Sequence, residues 1–325
     1  MTGGDAARPG SRGPHATEYA TRPPRPTRRL LLASLALPAL QGCAAPLRPL
    51  SGPAATPEAR ALLARGAAAH GLPALSRLSD LSVSYAGRWH GLVGSLQPAL
   101  VDAGFRGGSE ERLLLRERLV AQAHAGPRGR KQVVRRAVPG TEGTVRVWFN
   151  GEEARDGERR AAAALVADGY GLFLLGPMLL AGRWAGDRSL AMALAGTERI
   201  TVAGREHECD VLRAGVAPGL GFSASDQLAL FIDRDEGLMR RVRFTLDGLD
   251  GTRGAVAEVD ASGHVPLHGV RWPTRFHERL LRPLPLAVHD WRLTGLDVDR
   301  GLGIAEVGGA AFEGRAAAPA AALPA

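Results

Sequence analysis

The spacing of apolar side chains changes several times along this chain, and each change predicts an element. Thr56 stands as an N-cap before Pro57, and the Ala- and Leu-rich run behind it predicts a helix over 57–69. From Leu78 the period falls to two. Leu81–Tyr85 alternates, and Val133–Val138 and Thr144–Phe149 read as a hairpin across Pro139-Gly140-Thr141-Glu142-Gly143, followed by an Asn150-Gly151 turn. Arg112–Ala121 fits helix or strand, and Gly126-Pro127-Arg128-Gly129, which supplies a turn into Val133, favours strand. In the second half, Glu198–Val202 and Arg205–Leu212 flank Ala203-Gly204, with Glu206, Glu208 and Asp210 on one face and His207, Cys209 and Val211 on the other. Leu228–Ile232 and Arg240–Leu246 repeat the arrangement around Asp233–Gly237. There Val242, Phe244 and Leu246 are expected to be buried, and Arg241 and Arg243 are not. Further strands are expected at 254–259, 269–279 and 289–298.

So many short strands with so few helices predict a mainly β, α+β fold. Its core is a curved antiparallel half-barrel sheet of about 9–11 strands, because a long flat sheet exposes both faces and both edges. Helices around 57–69 and 161–180 are expected to cover the concave face. The second of these opens on polyalanine and runs from Tyr170 to Leu180 without a charge, broken by Gly176-Pro177 into a helix, a turn and another apolar piece. One reading makes it the lid of an apolar cavity lined by Trp148, Phe173, Leu174, Met178 and Leu179, with ligand passing the Gly176-Pro177 break. The other makes it the helix that closes an ordinary core.

The first 43 residues follow a different logic. Arg28-Arg29 precedes an apolar run from Leu30 to Leu40, too short to span a bilayer, which ends in Leu40-Gln41-Gly42-Cys43. This resembles the lipobox of bacterial lipoprotein signals, in which the cysteine thiol is acylated and becomes the new N-terminus. Cys43 is accordingly the expected lipidation site and membrane anchor. Thr27-Arg28-Arg29-Leu30-Leu31-Leu32 also resembles a twin-arginine export pattern. Ala44, where an Asp would favour inner-membrane retention, points to the periplasmic face of the outer membrane. The expected organisation is a signal over 1–43, a tether over 44–56, one domain over 57–314 and a disordered Ala/Pro-rich tail over 315–325.

Composition changes this picture little. The formal charge is +8, but the signal segment carries six Arg against Asp5 and Glu18, so half of that surplus leaves with it. Lys131 is the sole lysine, and charges alternate in sign without the clustered cations and interleaved aromatics of a nucleic-acid surface. Nucleic-acid binding is disfavoured. With Cys43 acylated, Cys209 has no partner in the chain, so an exported domain of this size relies on its core.

Four segments together resemble the LolA/LolB, RseB N-terminal and LppX class of exported half-barrel proteins. They are Val145–Gly151, Asp226–Asp233 running on to Val242, Gly269–Thr274 and the lipobox. The resemblance, over roughly 78–298, implies a partly closed antiparallel sheet and lipid handling without covalent chemistry. It transfers no binding residues position by position.

Residues able to carry other chemistry are scattered. His264 and His268 flank Pro266 in extended chain, where residues four apart sit roughly 13 Å from each other, too far to share an ion. His207 and Cys209 supply only two ligands. His277-Glu278 and His289-Asp290 point to opposite strand faces within each pair, so neither dipeptide is a dyad by itself. No Gly-x-Ser-x-Gly elbow, phosphate loop or His-Glu-x-x-His is present, and no catalytic residue, cofactor or metal site is assigned. The expectation is a lipid-anchored envelope protein that binds or transfers a lipid, acyl chain or other apolar ligand. Two alternatives stand beside it: an envelope assembly or sensing partner for another protein, and an enzyme whose site converges from distant strands.

Overall fold

The computed structural model describes residues 46–50, 55–138, 140–183, 190–309, 312 and 323. The signal segment with Cys43, and all of the 315–325 tail except residue 323, lie outside the described residues.

The first helix, α1 (Pro57–His70), begins as the sequence suggests: the Thr56 hydroxyl accepts from the Ala59 amide at 3.2 Å and Pro57 sits in the first turn. It ends at Gly71, whose φ of 98° suits glycine, and a Cβ there would lie 2.4 Å from the Gly269 carbonyl oxygen. A single turn, α2 (Leu72–Leu75), leads into β1 (Asp80–Trp89).

The sheet is built outward from β1. After two short turns, α3 (Gly91–Leu96) and α4 (Pro98–Val101), the strands β2 (Gly108–Leu114), β3 (Leu119–Gly126), β4 (Gly129–Arg136), β5 (Thr144–Phe149) and β6 (Glu152–Glu153) meander to one edge. Helices α5 (Gly157–Leu175) and α6 (Pro177–Arg183) then lead to the opposite edge. From there β7 (Ala191–Val202), β8 (Arg205–Val216), β9 (Asp226–Asp233), β10 (Met239–Thr245) and β11 (Val256–Ser262) meander back. A separate hairpin of β12 (Val265–Leu267) and β13 (Val270–Trp272) interrupts the sequence before β14 (Arg275–Arg282) and β15 (Leu286–Val298). β15 closes the circuit by pairing with β1, and every pairing in the thirteen-stranded sheet is antiparallel. The two edge strands, β6 and β7, remain apart, so the sheet is open.

The expected curved antiparallel sheet with helices on one face is therefore present, with thirteen strands rather than nine to eleven. Part of the excess comes from 112–121, which is not one strand. It is the tip of the β2–β3 hairpin, turning through 115–118 where Arg116-Glu117-Arg118 interrupts the leucines and Arg118 adopts a φ of 52°. The expected 269–279 strand is likewise split at Pro273-Thr274, since proline donates no ladder hydrogen bond.

The inner face carries the core. Leu81, Val83 and Tyr85 of β1, Leu230 and Ile232 of β9, Val242 and Phe244 of β10 and Trp291 of β15 join one cluster with Leu172, Phe173 and Leu174 of α5. Phe173 lies 5.3 Å from the Phe244 ring and 5.8 Å from that of Trp291, which fixes α5 across the sheet. Each such side chain stabilises the fold by about 1.5–3 kcal/mol through burial.

On the outer face Arg241 departs from expectation. It is only 9% exposed, because the β10–β11–β14 register sets it opposite Asp260 and sets Glu258 between Arg243 and Arg279. Arg243 reaches Glu258 at 2.9 Å and Arg279 reaches Asp260 at 3.0 Å, so the arginines cover one another in a charge ladder.

The ends of the domain are tied to the sheet. Buried Asp80 accepts from the amides of Arg300, Gly301 and Leu302, which directs α7 (Ile304–Val307) and Phe312 onto outer-face residues of β3, Ala121 and Ala123. From the expected tether, Leu47 packs on the outer-face cluster of Cys209, Val211 and Phe231.

Candidate functional site

Where α5 bends into α6, the helical layer does not fully cover the sheet. Gly176 makes the bend with φ 50° and ψ −124°, a conformation for glycine, and its amide closes α5 by donating to the Leu172 carbonyl at 2.8 Å. Beside it lies a groove of about 420 Å³, within the range of about 300–1,000 Å³ typical of small-molecule sites. One wall is helical, with Ala167, Gly171 and Leu175 of α5 and Met178 and Leu179 of α6. The other is the tip of the β2–β3 hairpin, Leu113 to Val120, and Leu72, Leu75 and Leu78 close the end.

A single ion pair crosses its back. Arg135 of β4 and Asp168 of α5 are both buried, with Nε to Oδ1 at 3.1 Å and Nη2 to Oδ2 at 2.8 Å. Arg135 also donates to the Gly221 carbonyl at 2.9 Å, and the Gly221 amide donates to Asp168 at 2.9 Å. The pair is thus satisfied by its own surroundings, and the rest of the groove presents mainly leucine.

The five residues expected to share a cavity are divided by the fold. Leu179 lines the groove, and Met178 lines it from the core cluster, only 1% exposed. Phe173 and Leu174 belong to the core cluster, Leu174 being 1% exposed. Trp148 follows Val147 on β5; Val147 packs with Ala163 and Ala164 of α5, whereas Trp148 lies beside Arg146, whose guanidinium sits 4.7 Å from its ring. Strand alternation separates Trp148 from the helical face. Cys43 lies outside the described residues.

A second constellation was not legible in sequence. Under α5, Arg106 donates to the Tyr170 hydroxyl at 3.1 Å and to the Leu100 carbonyl at 2.9 Å, with its guanidinium 4.5 Å from the Trp89 ring. His289 stacks on Trp89 at 3.9 Å and lies 3.4 Å from the Tyr170 hydroxyl through Nδ1. Nearby, Gln122 donates to Glu111 at 2.7 Å. Burial pushes Glu111 up to about 8 and Tyr170 up to about 12, and drives His289 down to about 2. The only signal for this cluster was strand alternation, which sets Glu111 on the face of Leu113. The open space beside Arg106, Tyr170 and His289 is about 20 Å³, room for about one water.

The two histidine dipeptides resolve across strands. β14 pairs with β15 so that His277 faces Asp290 and Glu278 faces His289. Asp290 lies 2.8 Å from His90 Nε2 and 2.5 Å from His277 Nδ1. Among the described residues no group of three His, Cys, Asp or Glu side chains is placed to hold a metal ion. His264 instead packs edge-on against His70 at 5.5 Å.

A larger polar basin of about 810 Å³ lies between α4, β4, β5 and the start of α5. The sole lysine, Lys131, lies at its base, 2% exposed, bonded to Asp102 at 2.7 Å and lowered to about 8 by burial. Acids and bases mix on its walls, among them Asp102, Arg128, Glu152, Asp156, Glu158 and Arg159.

The chain matches no protein-family model and no curated protein. Among solved structures it is similar to a DUF1329 family protein from Desulfovibrio piger, with TM-score 0.49 and 13% identity over 78% of this chain and 98% of that one. It is also similar to a LolA superfamily protein from Nitrosomonas europaea, with TM-score 0.38 and 13% identity over 77% and 96%. A third is the lipoprotein LppX from Mycobacterium tuberculosis, with TM-score 0.24 and 13% identity over 58% and 90%. These are similarities of fold.

Proposed function

We propose that the protein is a lipid-anchored component of the cell envelope that holds an apolar, chain-like ligand in the groove between α2, α5, α6 and the β2–β3 hairpin, for binding or transfer without covalent chemistry. The observation that carries this reading is the groove itself, at Gly171. A Cβ built on that residue meets nothing within 4 Å, although Gly171 lies inside a nineteen-residue helix that crosses the core. Gly171 is half-buried, so this room is a slot that opens from the leucine-lined wall to the surface. The sequence Leu40–Cys43 supports an anchor that would keep the groove near a membrane, on the periplasmic side and, with Ala44 following, at the outer membrane. The buried acid and base groups around Tyr170 do not compete for this role, because the space beside them has no room for a substrate.

Gly171→Leu tests the reading. In the full-length chain carrying Cys43→Ser, the added side chain should fill the groove and weaken binding of a fluorescent long-chain fatty acid by at least about ten-fold, since it displaces ligand from an apolar wall. Thermal stability should be unchanged or higher, because leucine replaces glycine inside a helix. Wild-type protein that binds no such probe and yields no lipid on organic-solvent extraction would turn the groove over to a protein partner, as an envelope assembly or sensing component would use it.

A further inference from the structure

The groove is apolar along its walls and cationic at its mouth. The rim on the sheet side is the turn Leu115-Arg116-Glu117-Arg118, in which Arg116 and Arg118 line the groove and the intervening Glu117 does not. The turn is fixed: Arg118 holds a φ of 52°, and its carbonyl accepts from the Ala137 amide at 3.0 Å. Both arginines are exposed, and neither side chain has a hydrogen bond, ion pair or ring contact among the described residues.

What distinguishes the two is their position at the groove. Some surface arginines meet carboxylates, as Arg65 reaches Asp210 at 2.8 Å and Arg146 reaches Glu153 at 2.8 Å, and others, such as Arg60, Arg199 and Arg205, have no side-chain partner among the described residues, but none of these lines the groove. The third arginine of the groove, Arg135, is already committed to Asp168. Two unpaired guanidinium groups thus stand where an apolar slot opens to water. Arginine presents a planar fork of donors that suits carboxylate and phosphate oxygens.

We propose that the groove takes an anionic amphiphile, with its hydrocarbon chain against Leu72, Leu75, Leu175 and Met178 and its acidic head on Arg116 and Arg118. This rests on the groove being a ligand site. The shared chemistry of the head is a carboxylate or a phosphate monoester.

The test uses the full-length chain carrying Cys43→Ser and three probes of equal chain length: a fatty acid, its methyl ester and a lysophosphatidic acid, measured by displacement of a fluorescent fatty acid. The acid should bind about ten-fold tighter than the ester, a difference set by two partly exposed charge-assisted contacts. Arg116→Gln with Arg118→Gln should remove that advantage, weakening both anionic probes by about ten-fold while leaving the ester and the melting temperature unchanged. Tighter binding of the lysophosphatidic acid than of the fatty acid would assign the head as phosphate, and the reverse order as carboxylate. Equal binding of acid and ester by the wild type, or anionic affinities unchanged in the double variant, overturns the head-group assignment and leaves the groove as an apolar site. No binding of any probe removes the groove reading and this one with it.

Discussion

Glu111 shows how much a single side chain can depend on its burial. It is 1% exposed on β2, accepts from Gln122 on β3, and feels Arg106 and Glu110 nearby. Desolvation dominates and raises it from 4.5 to about 8, so the folded protein keeps its proton where the unfolded chain has lost it. Its contribution to stability is therefore fully present below pH about 4.5 and is lost as pH rises toward 8, at up to about 1.4 kcal/mol per pH unit. His289 acts in the opposite sense: lowered to about 2, it destabilises the fold in acid, and that penalty is gone once pH exceeds about 6.5. Urea denaturation between pH 6.5 and 8 should then show wild-type stability falling, and Glu111→Gln should flatten the slope. Parallel slopes in the two proteins would mean that Glu111 ionises normally.

At the scale of elements, the hinge between α5 and α6 separates two glycines with opposite requirements. Gly176 has φ 50°, and a Cβ there would lie 2.9 Å from Met239 Cε, so Gly176→Ala should destabilise the domain by about 1–3 kcal/mol. Gly171, five residues earlier, faces open space, and Gly171→Ala should stabilise by about 0.5–1 kcal/mol through helix propensity alone. Midpoints from urea titrations of both variants test the pair. If both alanines destabilise, Gly171 is packed and the groove is narrower than its geometry indicates. The same elements show where periodicity succeeds. The Gly176-Pro177 break and the alternation of β8 through β10 were readable from residue type, whereas the β2–β3 turn at 115–118 contains no Gly, Pro, Asn or Asp and hid in a run that suits a continuous strand equally well.

For the whole molecule, no described helix is long and apolar enough to cross a bilayer, and the proposed lipid anchor at Cys43 can be tested directly. Cys43→Ser is expected to leave the protein soluble or uncleaved, with wild type in the membrane fraction after cell fractionation. An unchanged distribution would remove the anchor and, with it, the placement of the groove beside a lipid surface.

Local chemistry sufficed for what repeats along the chain. Strand alternation placed Val242 and Phe244 inside, turn residues placed the β4–β5, β7–β8 and β9–β10 hairpins, and Thr56-Pro57 started the first helix at its observed position. What depends on which strands become neighbours was decided only by the tertiary structure. Arg241 is buried because Asp260 and Glu258 stand beside it, and Trp148 is parted from Met178 because it faces away from the helical side of the sheet. Glu111, Tyr170, Arg106 and His289 meet because β15 returns to pair with β1 and α5 lies across both. These partners are separated by up to 183 residues, from Arg106 to His289, and a sequence pattern carries no information about pairs that far apart until the sheet order is known. The groove belongs to the same class: its walls come from α2, β2, β3, β4, α5 and α6, and the space between them exists only once the fold brings these elements together.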